Sequence, residues 1–235
     1  MAFLINSRIN NPISVNRIHI YHPVHPTELS NIIEDLINKG IVDLNCIDTS
    51  NMISMYGAFS NIDIPKEMQE RLDVSEWNVS NVEDMSKAFE NLEYFNGDLS
   101  NWDVSNVRYM TYTFSYCKSF EGKGLENWNI TDKLQILDST FNNCYKFNAD
   151  ISNWDVHNVS VFKETFLKCI EFNQPIGKWN IENGVNLTRM MQYCSIFNQD
   201  LTNWRLNLNV IRNRMFTGCN SMEKINYPAW YINNL

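Results

Sequence analysis

From residue 72 onward the apolar positions recur as one block: an aliphatic residue, two mostly polar positions, a tryptophan, one polar position and another aliphatic residue. Leu99-Ser100-Asn101-Trp102-Asp103-Val104 and Ile151-Ser152-Asn153-Trp154-Asp155-Val156 show it plainly. Tryptophan and the aliphatic residue two further on would share a face of a strand, so this block predicts a short strand. Phe89, Phe114, Phe166 and Phe216 each follow their tryptophan by 12 residues, and Phe141 follows Trp128 by 13. A second aromatic comes later (Phe95, Phe120, Phe147, Phe172, Phe197), and between the two aromatic positions stands a cysteine in one column, Cys117, Cys144, Cys169, Cys194 and Cys219. Three-residue spacings such as Phe114, Cys117 and Phe120 suit short helical turns. Before the repeat, Leu29, Ile32, Ile33, Leu36 and Ile37 recur at helical spacing, with Thr27 as expected N-cap and Gly40 as terminator. Val15 to Tyr21 reads as an edge strand or binding arm.

The tryptophans at 77, 102, 128, 154, 179 and 204 are 25 or 26 residues apart. A constant period of that size indicates stacked coils in which each unit buries its apolar face only against its neighbours. A degenerate coil carries Ile47 in the tryptophan position and Phe59 in the phenylalanine position, with about five extra residues near Pro65 before the next coil. Trp230 begins a last, truncated turn. The expected fold class is therefore an α/β repeat, a leucine-rich-repeat-type solenoid of about seven coils, each a short strand plus short helical turns. Residues 1–43 form an N-terminal segment with a helical cap, 44–226 the solenoid and 227–235 a C-terminal cap.

The string Asn101-Trp102-Asp103-Val104-Ser105-Asn106-Val107, followed by Met110, Phe114, Cys117 and Phe120, resembles the BspA-like leucine-rich repeat family. So does Asn153-Trp154-Asp155-Val156-His157-Asn158-Val159, and the resemblance spans roughly residues 44 to 230. It implies a surface or secreted repeat protein associated with adhesion and protein binding, without catalysis. Unlike the usual surface member, this chain shows no leader: the apolar stretch after Met1 is too short for a signal peptide. The expected location is the cytoplasm or host-cell interior, or the cell surface if a leader has been removed.

Composition narrows the function classes. Net charge is −8, which disfavours nucleic acid, since phosphate binding needs clustered Lys and Arg. No run approaches a membrane span. Five of the six cysteines share one repeat column, where small buried reduced residues are the simpler reading and disulfides along the stack the alternative. No C-x-x-C pair occurs for zinc. His19, His22 and His25 form H-x-x-H-x-x-H, but Pro23 interrupts the helix that would align them, so an exposed strand or loop is expected there. Asp103 and Asp155 suggest calcium-binding repeats, yet Asn78, Asn129, Asn180 and Arg205 replace them in other coils. With no phosphate loop, nucleophile elbow or metalloprotease signature, no enzyme and no cofactor are expected.

If the residues around tryptophan point inward, their alternates point outward. The expected partner-binding sheet face is then Asn101, Asp103, Ser105, Asn127, Asn129, Asn153, Asp155, His157, Lys178, Asn180, Glu182, Asn203 and Arg205. Such a face offers many hydrogen bonds to a protein partner, with a glycan as the alternative. The bland counterpart is a solvated surface whose amides bond to their neighbours along the stack. Tyr109, Tyr112, Tyr116, Tyr145 and Tyr193 are candidate aromatic anchors beside it. The tryptophans are read as core filler, the alternative being an exposed stripe that stacks on sugars. An exposed strand at either end leaves both monomer and homodimer open.

Overall fold

The computed structural model describes residues 19–207 and 209–232. Residues 15–18 of the expected Val15–Tyr21 segment, Leu208 and residues 233–235 of the C-terminal cap lie outside them. The chain stacks in coils, but the α/β leucine-rich-repeat solenoid expected from the sequence is not what forms. Among the described residues there is no β-strand. There are three α-helices, α1 Pro26–Asn38, α2 Lys66–Gln69 and α3 Ala229–Ile232, and three short 3₁₀ turns. Neighbouring coils are joined by isolated parallel bridges, which run Ser54 to Asp84, Tyr109, Ile136, Val161, Asn186 and Ile211.

The tryptophan segment fails as a strand because its own backbone closes into turns. The Trp102 amide donates to the Leu99 carbonyl at 3.2 Å and Val107 to Val104 at 3.0 Å. Side-chain oxygens reinforce the bends: Asp98 Oδ1 accepts from the Ser100 amide at 3.0 Å, and Asp103 Oδ1 from the Ser105 amide at 3.0 Å. These are Asx turns, in which a short acidic or amide side chain substitutes for a backbone acceptor. A backbone folded back on itself every few residues cannot hold a continuous ladder.

The ladder between coils lies instead in the stretch read as helical turns. The amides of Met85, Lys87, Phe89 and Asn91 donate to the carbonyls of Tyr109, Thr111, Thr113 and Ser115, each at 2.9 Å. The alternate amides of Ala88, Glu90 and Leu92 close three-residue-back turns within their own coil. Lys87 and Asn91 have φ of 60° and 67°, and the same pair of left-handed positions returns at Tyr112 and Tyr116, Ser139 and Asn143, Glu164 and Lys168, and Arg189 and Tyr193. A β-turn with a left-handed third residue demands this conformation. The three-residue spacing of Phe114, Cys117 and Phe120 thus reflects successive turns (Cys117 to Phe114 at 3.0 Å, Phe120 to Cys117 at 3.1 Å) and not a helix.

The core is a set of aromatic columns along the stack. Trp77, Trp102, Trp128 and Trp154 lie nearly parallel, with successive centroids 6.3, 6.3 and 5.9 Å apart. Phe89, Phe114, Phe141 and Phe166 form a second column, at 5.3 to 5.8 Å. The cysteines complete the polar accounting: Cys117 Sγ donates to the Phe89 carbonyl at 3.0 Å, and Cys144, Cys169, Cys194 and Cys219 repeat the bond one coil on. All six thiols are free.

At the N-terminal end α1 buries Leu29, Ile33, Leu36 and Ile37 against the first coil. Its N-cap is His25 with Pro26 in the first turn, so Thr27 lies inside the helix and is not the expected cap. Gly40, at φ 77°, ends it as expected. The extra residues after Pro65 form α2. At the other end Tyr227 and Tyr231 meet Phe216 edge-on, and the Trp230 indole donates to the Trp204 carbonyl at 3.0 Å.

Candidate interaction face

Tryptophan orientation decides which surface is available. From Trp77 to Trp204 each indole N–H reaches the main-chain carbonyl three residues before the tryptophan position of the preceding coil. Trp102 donates to Val74 at 3.1 Å, Trp128 to Leu99 at 3.1 Å, Trp179 to Ile151 at 3.1 Å and Trp204 to Ile176 at 3.1 Å. The rings are at most 4 % exposed from Trp77 to Trp204, so the tryptophans are core and offer no stripe to a sugar.

Residues flanking tryptophan point outward. Asn101, Asp103, Asn127, Asn129, Asn153, Asp155, Lys178, Asn180, Glu182, Asn203 and Arg205 are exposed, and Ser105 and His157 half-buried. The surface they form is a ribbon of Asx turns, not the expected sheet. Within it the columns differ in what they already bond. The position after tryptophan shapes the turn: Asp155 Oδ1 accepts from the His157 amide and its Nδ1 (2.7 Å), and Asn180 Oδ1 accepts from the Glu182 amide at 3.1 Å. His157 accordingly holds the Asp155 carboxyl below its ordinary range, and Ser105 does the same for Asp103. The two acids of this column, Asp103 and Asp155, are therefore turn-formers.

The position four after tryptophan ties coil to coil. Asn106 Nδ2 donates to the Ser80 carbonyl at 2.6 Å, Asn158 to Asp132 at 2.8 Å and Asn183 to His157 at 2.8 Å. Asn96, Asn148, Asn173 and Asn198 hold the far side in the same way, each Oδ1 accepting an amide about one coil later. Those columns are the bland alternative made concrete, amides used within the stack. The column before tryptophan is different. The side chains of Asn127, Asn153 and Asn203 make no hydrogen bond among the described residues, nor does that of Asn129, while Asn101 has a single long contact of 3.5 Å to Ser75. Parallel-bridged coils are about 5 Å apart, so these amides form a regular row. Lys178 interrupts it as a cation between Asn153 and Asn203, and Arg205, bonded to the Thr202 and Trp204 carbonyls, lies beside its end.

A second feature was only half legible. Tyr145 and Tyr193, two of the expected anchors, line an open groove of about 650 Å³ with Lys168, Ile170, Ser195, Gly218 and Asn220. Ile170 and Tyr193 are 42 % and 48 % exposed. The available signal was in the columns: Ile170 is apolar where Glu93, Lys118, Ser195 and Asn220 stand in other coils. Tyr116 is exposed as well, whereas Tyr109 and Tyr112 are half-buried in the stack.

The cysteine column is remote from nucleophilic chemistry. Burial pushes the thiols of Cys117, Cys144, Cys169 and Cys194 far up, and that of Cys219 to about 12. His22 Nδ1 lies 3.1 Å from Asp48 Oδ2. Among the described residues no three His, Cys, Asp or Glu side chains come together as metal ligands, and no helix is long and apolar enough to cross a membrane.

The family described as "Mycoplasma protein of unknown function, DUF285" matches residues 27–136 and again 120–230, so two copies of its pattern cover nearly all of the coil stack and α1. No curated protein and no solved structure matches the chain.

Proposed function

The chain belongs to the DUF285 family, and for this member we propose a non-catalytic recognition module that binds a protein partner across its outward ribs, as scaffold or inhibitor. The observation that carries the reading is the contrast between asparagine columns. Asn106, Asn158 and Asn183 use their amides inside the stack, whereas Asn127, Asn153 and Asn203 present theirs uncommitted in the column before tryptophan, which Lys178 interrupts. Donors and acceptors repeated at a fixed spacing suit a protein surface, because the stacked backbone sets their positions before a partner arrives. The resemblance of the repeat strings to BspA-like proteins, in sequence and not in a strand-and-helix fold, points to the same class.

The test is affinity purification from the native host with the wild-type chain and with a triple Asn127→Ala, Asn153→Ala, Asn203→Ala variant. The variant keeps its melting temperature and loses a protein that the wild type retains. A partner profile identical for both would remove the ribs from recognition. A glycan-binding adhesin is the second reading, and the Tyr145–Tyr193 groove favours it, since two tyrosines beside Lys168 and Asn220 combine ring faces with polar groups. Oligosaccharide binding abolished by Tyr193→Ala and indifferent to the asparagine variant would select it.

A further inference from the structure

Two asparagines of the chain precede a glycine, at Asn96-Gly97 and Asn183-Gly184. In such a pair the glycine main-chain nitrogen can attack the asparagine side-chain carbonyl carbon and close a five-membered ring. A Cβ on the second residue hinders that approach, and glycine has none. The fold treats the two pairs differently. Gly184 is buried, its amide donates to the Ile181 carbonyl at 2.9 Å, and Asn183 Nδ2 donates to the His157 carbonyl at 2.8 Å. Both the attacking and the leaving nitrogen are tied up there. Asn96 is exposed, and neither its Nδ2 nor the Gly97 amide makes a hydrogen bond among the described residues. Its Oδ1 accepts from the Glu121 amide at 3.0 Å. An N–H on that oxygen lies where negative charge gathers once the carbon is attacked.

The repeat supplies its own comparison. Asn148, Asn173 and Asn198 make the same contact, each Oδ1 accepting an amide of the next coil at 2.9, 2.9 and 2.8 Å, but Ala149, Gln174 and Gln199 follow them. After Asn96 the packing demands glycine: a Cβ on Gly97 would lie 2.6 Å from Cε2 of Phe95, whose ring is fully buried. We infer that Asn96-Gly97 is a site of spontaneous deamidation, which the fold leaves open while it closes Asn183-Gly184. The Gly97 nitrogen bonds to Asn96 Cγ, the Cγ–Nδ2 bond breaks, and ammonia leaves with the proton given up by the Gly97 amide. Water then opens the succinimide at either carbonyl, leaving aspartate or isoaspartate. Both products carry a new carboxylate. Isoaspartate also routes the main chain through the side-chain carbon, one methylene longer, and so breaks the Asn96–Glu121 contact between coils. The site does not depend on the partner-binding ribs.

The test is incubation of the folded full chain at mildly alkaline pH, followed by peptide mapping with a fragmentation method that separates isoaspartate from aspartate. Two hydrogen bonds must break before Asn183-Gly184 can react, so Asn96 converts at least about tenfold faster than Asn183. Asn148, Asn173 and Asn198 stay intact over the same period. In concentrated urea the two Asn-Gly pairs converge on one rate, because the difference between them belongs to the fold. The Asn96→Gln variant, which would need a six-membered ring, shows no conversion at that position. Amide exchange at Glu121 quickens in the isoaspartate fraction, while that at Asn198 is unchanged. Equal rates for the two pairs in the folded chain, earlier conversion at Asn183 or Asn148, or an Asn96 that survives folded and is lost only in urea would each overturn the inference. Unchanged Glu121 exchange in the isoaspartate fraction would overturn the broken coil contact.

Discussion

Replacing Trp154 separates what the indole column contributes by packing from what it contributes by hydrogen bonding. The ring is 4 % exposed, stacks on Trp128 at 5.9 Å and tilts against Phe141 at 6.1 Å. Trp154→Ala removes the whole ring from a closed core, where large-to-small changes cost about 3–5 kcal/mol. Trp154→Phe keeps an aromatic ring in the column and loses the indole bond to the Leu125 carbonyl (3.3 Å). That carbonyl is not orphaned, because it also accepts the Trp128 amide at 3.2 Å. The loss is then a net hydrogen bond and a few atoms of packing, roughly 1–2 kcal/mol in all, rather than the larger penalty of a stranded buried acceptor. Urea unfolding followed by far-ultraviolet circular dichroism measures both variants against wild type. Equal losses for the two would mean that the indole bond, not burial, governs the column. A loss below about 1 kcal/mol for Trp154→Ala would place the ring outside the core and refute the stacking argument.

Other consequences are equally direct. Gly124 has φ 97°, and a Cβ there would lie 2.3 Å from the Ser100 amide nitrogen of the preceding coil. Gly124→Ala should therefore cost at least about 1–3 kcal/mol in strain alone, read as a fall in the urea midpoint. Of the six thiols only Cys46 is half-exposed, so native-state alkylation at mildly alkaline pH should label one cysteine quickly and the other five only on unfolding. The Asp98 carboxyl is lowered to about 2, first by the Lys123 ammonium and then by the Ser100 hydroxyl. Because the folded value lies below the unfolded 3.8, its contribution is present above pH 4 or so and fades as pH falls through about 2. Stability measured from pH 5 to 2 should decline less steeply for Asp98→Asn than for wild type. The effect should be small, since the pair is well exposed to solvent.

Legibility in the sequence followed the kind of force involved. Burial leaves a strong mark, so the tryptophan, phenylalanine and cysteine columns and the buried face of α1 (Leu29, Ile33, Leu36, Ile37) were all readable from spacing. Outward placement of Asn127 and Asn153 followed from the same alternation. Backbone conformation left a mark that points two ways. The Asp103–Ser105 pair looks like the polar edge of a strand but acts as an Asx turn. Left-handed residues such as Lys87, Tyr112 and Glu164 carry side chains with no preference for that region. Their conformation is imposed by bonds to another coil, about 25 residues away, and local propensity has no access to it.

The amino-acid pattern by itself determined that this chain is periodic, which side chains share each column, and which of those columns are buried, because apolar and aromatic residues must leave water wherever the repeat recurs. The tertiary structure alone decided that the coils meet through single bridges and chained turns instead of strands. It also decided which asparagines are used in holding the stack. Those outcomes depend on where a hydrogen-bond partner lies in the neighbouring coil, and a partner's position in space is not a property of any one segment.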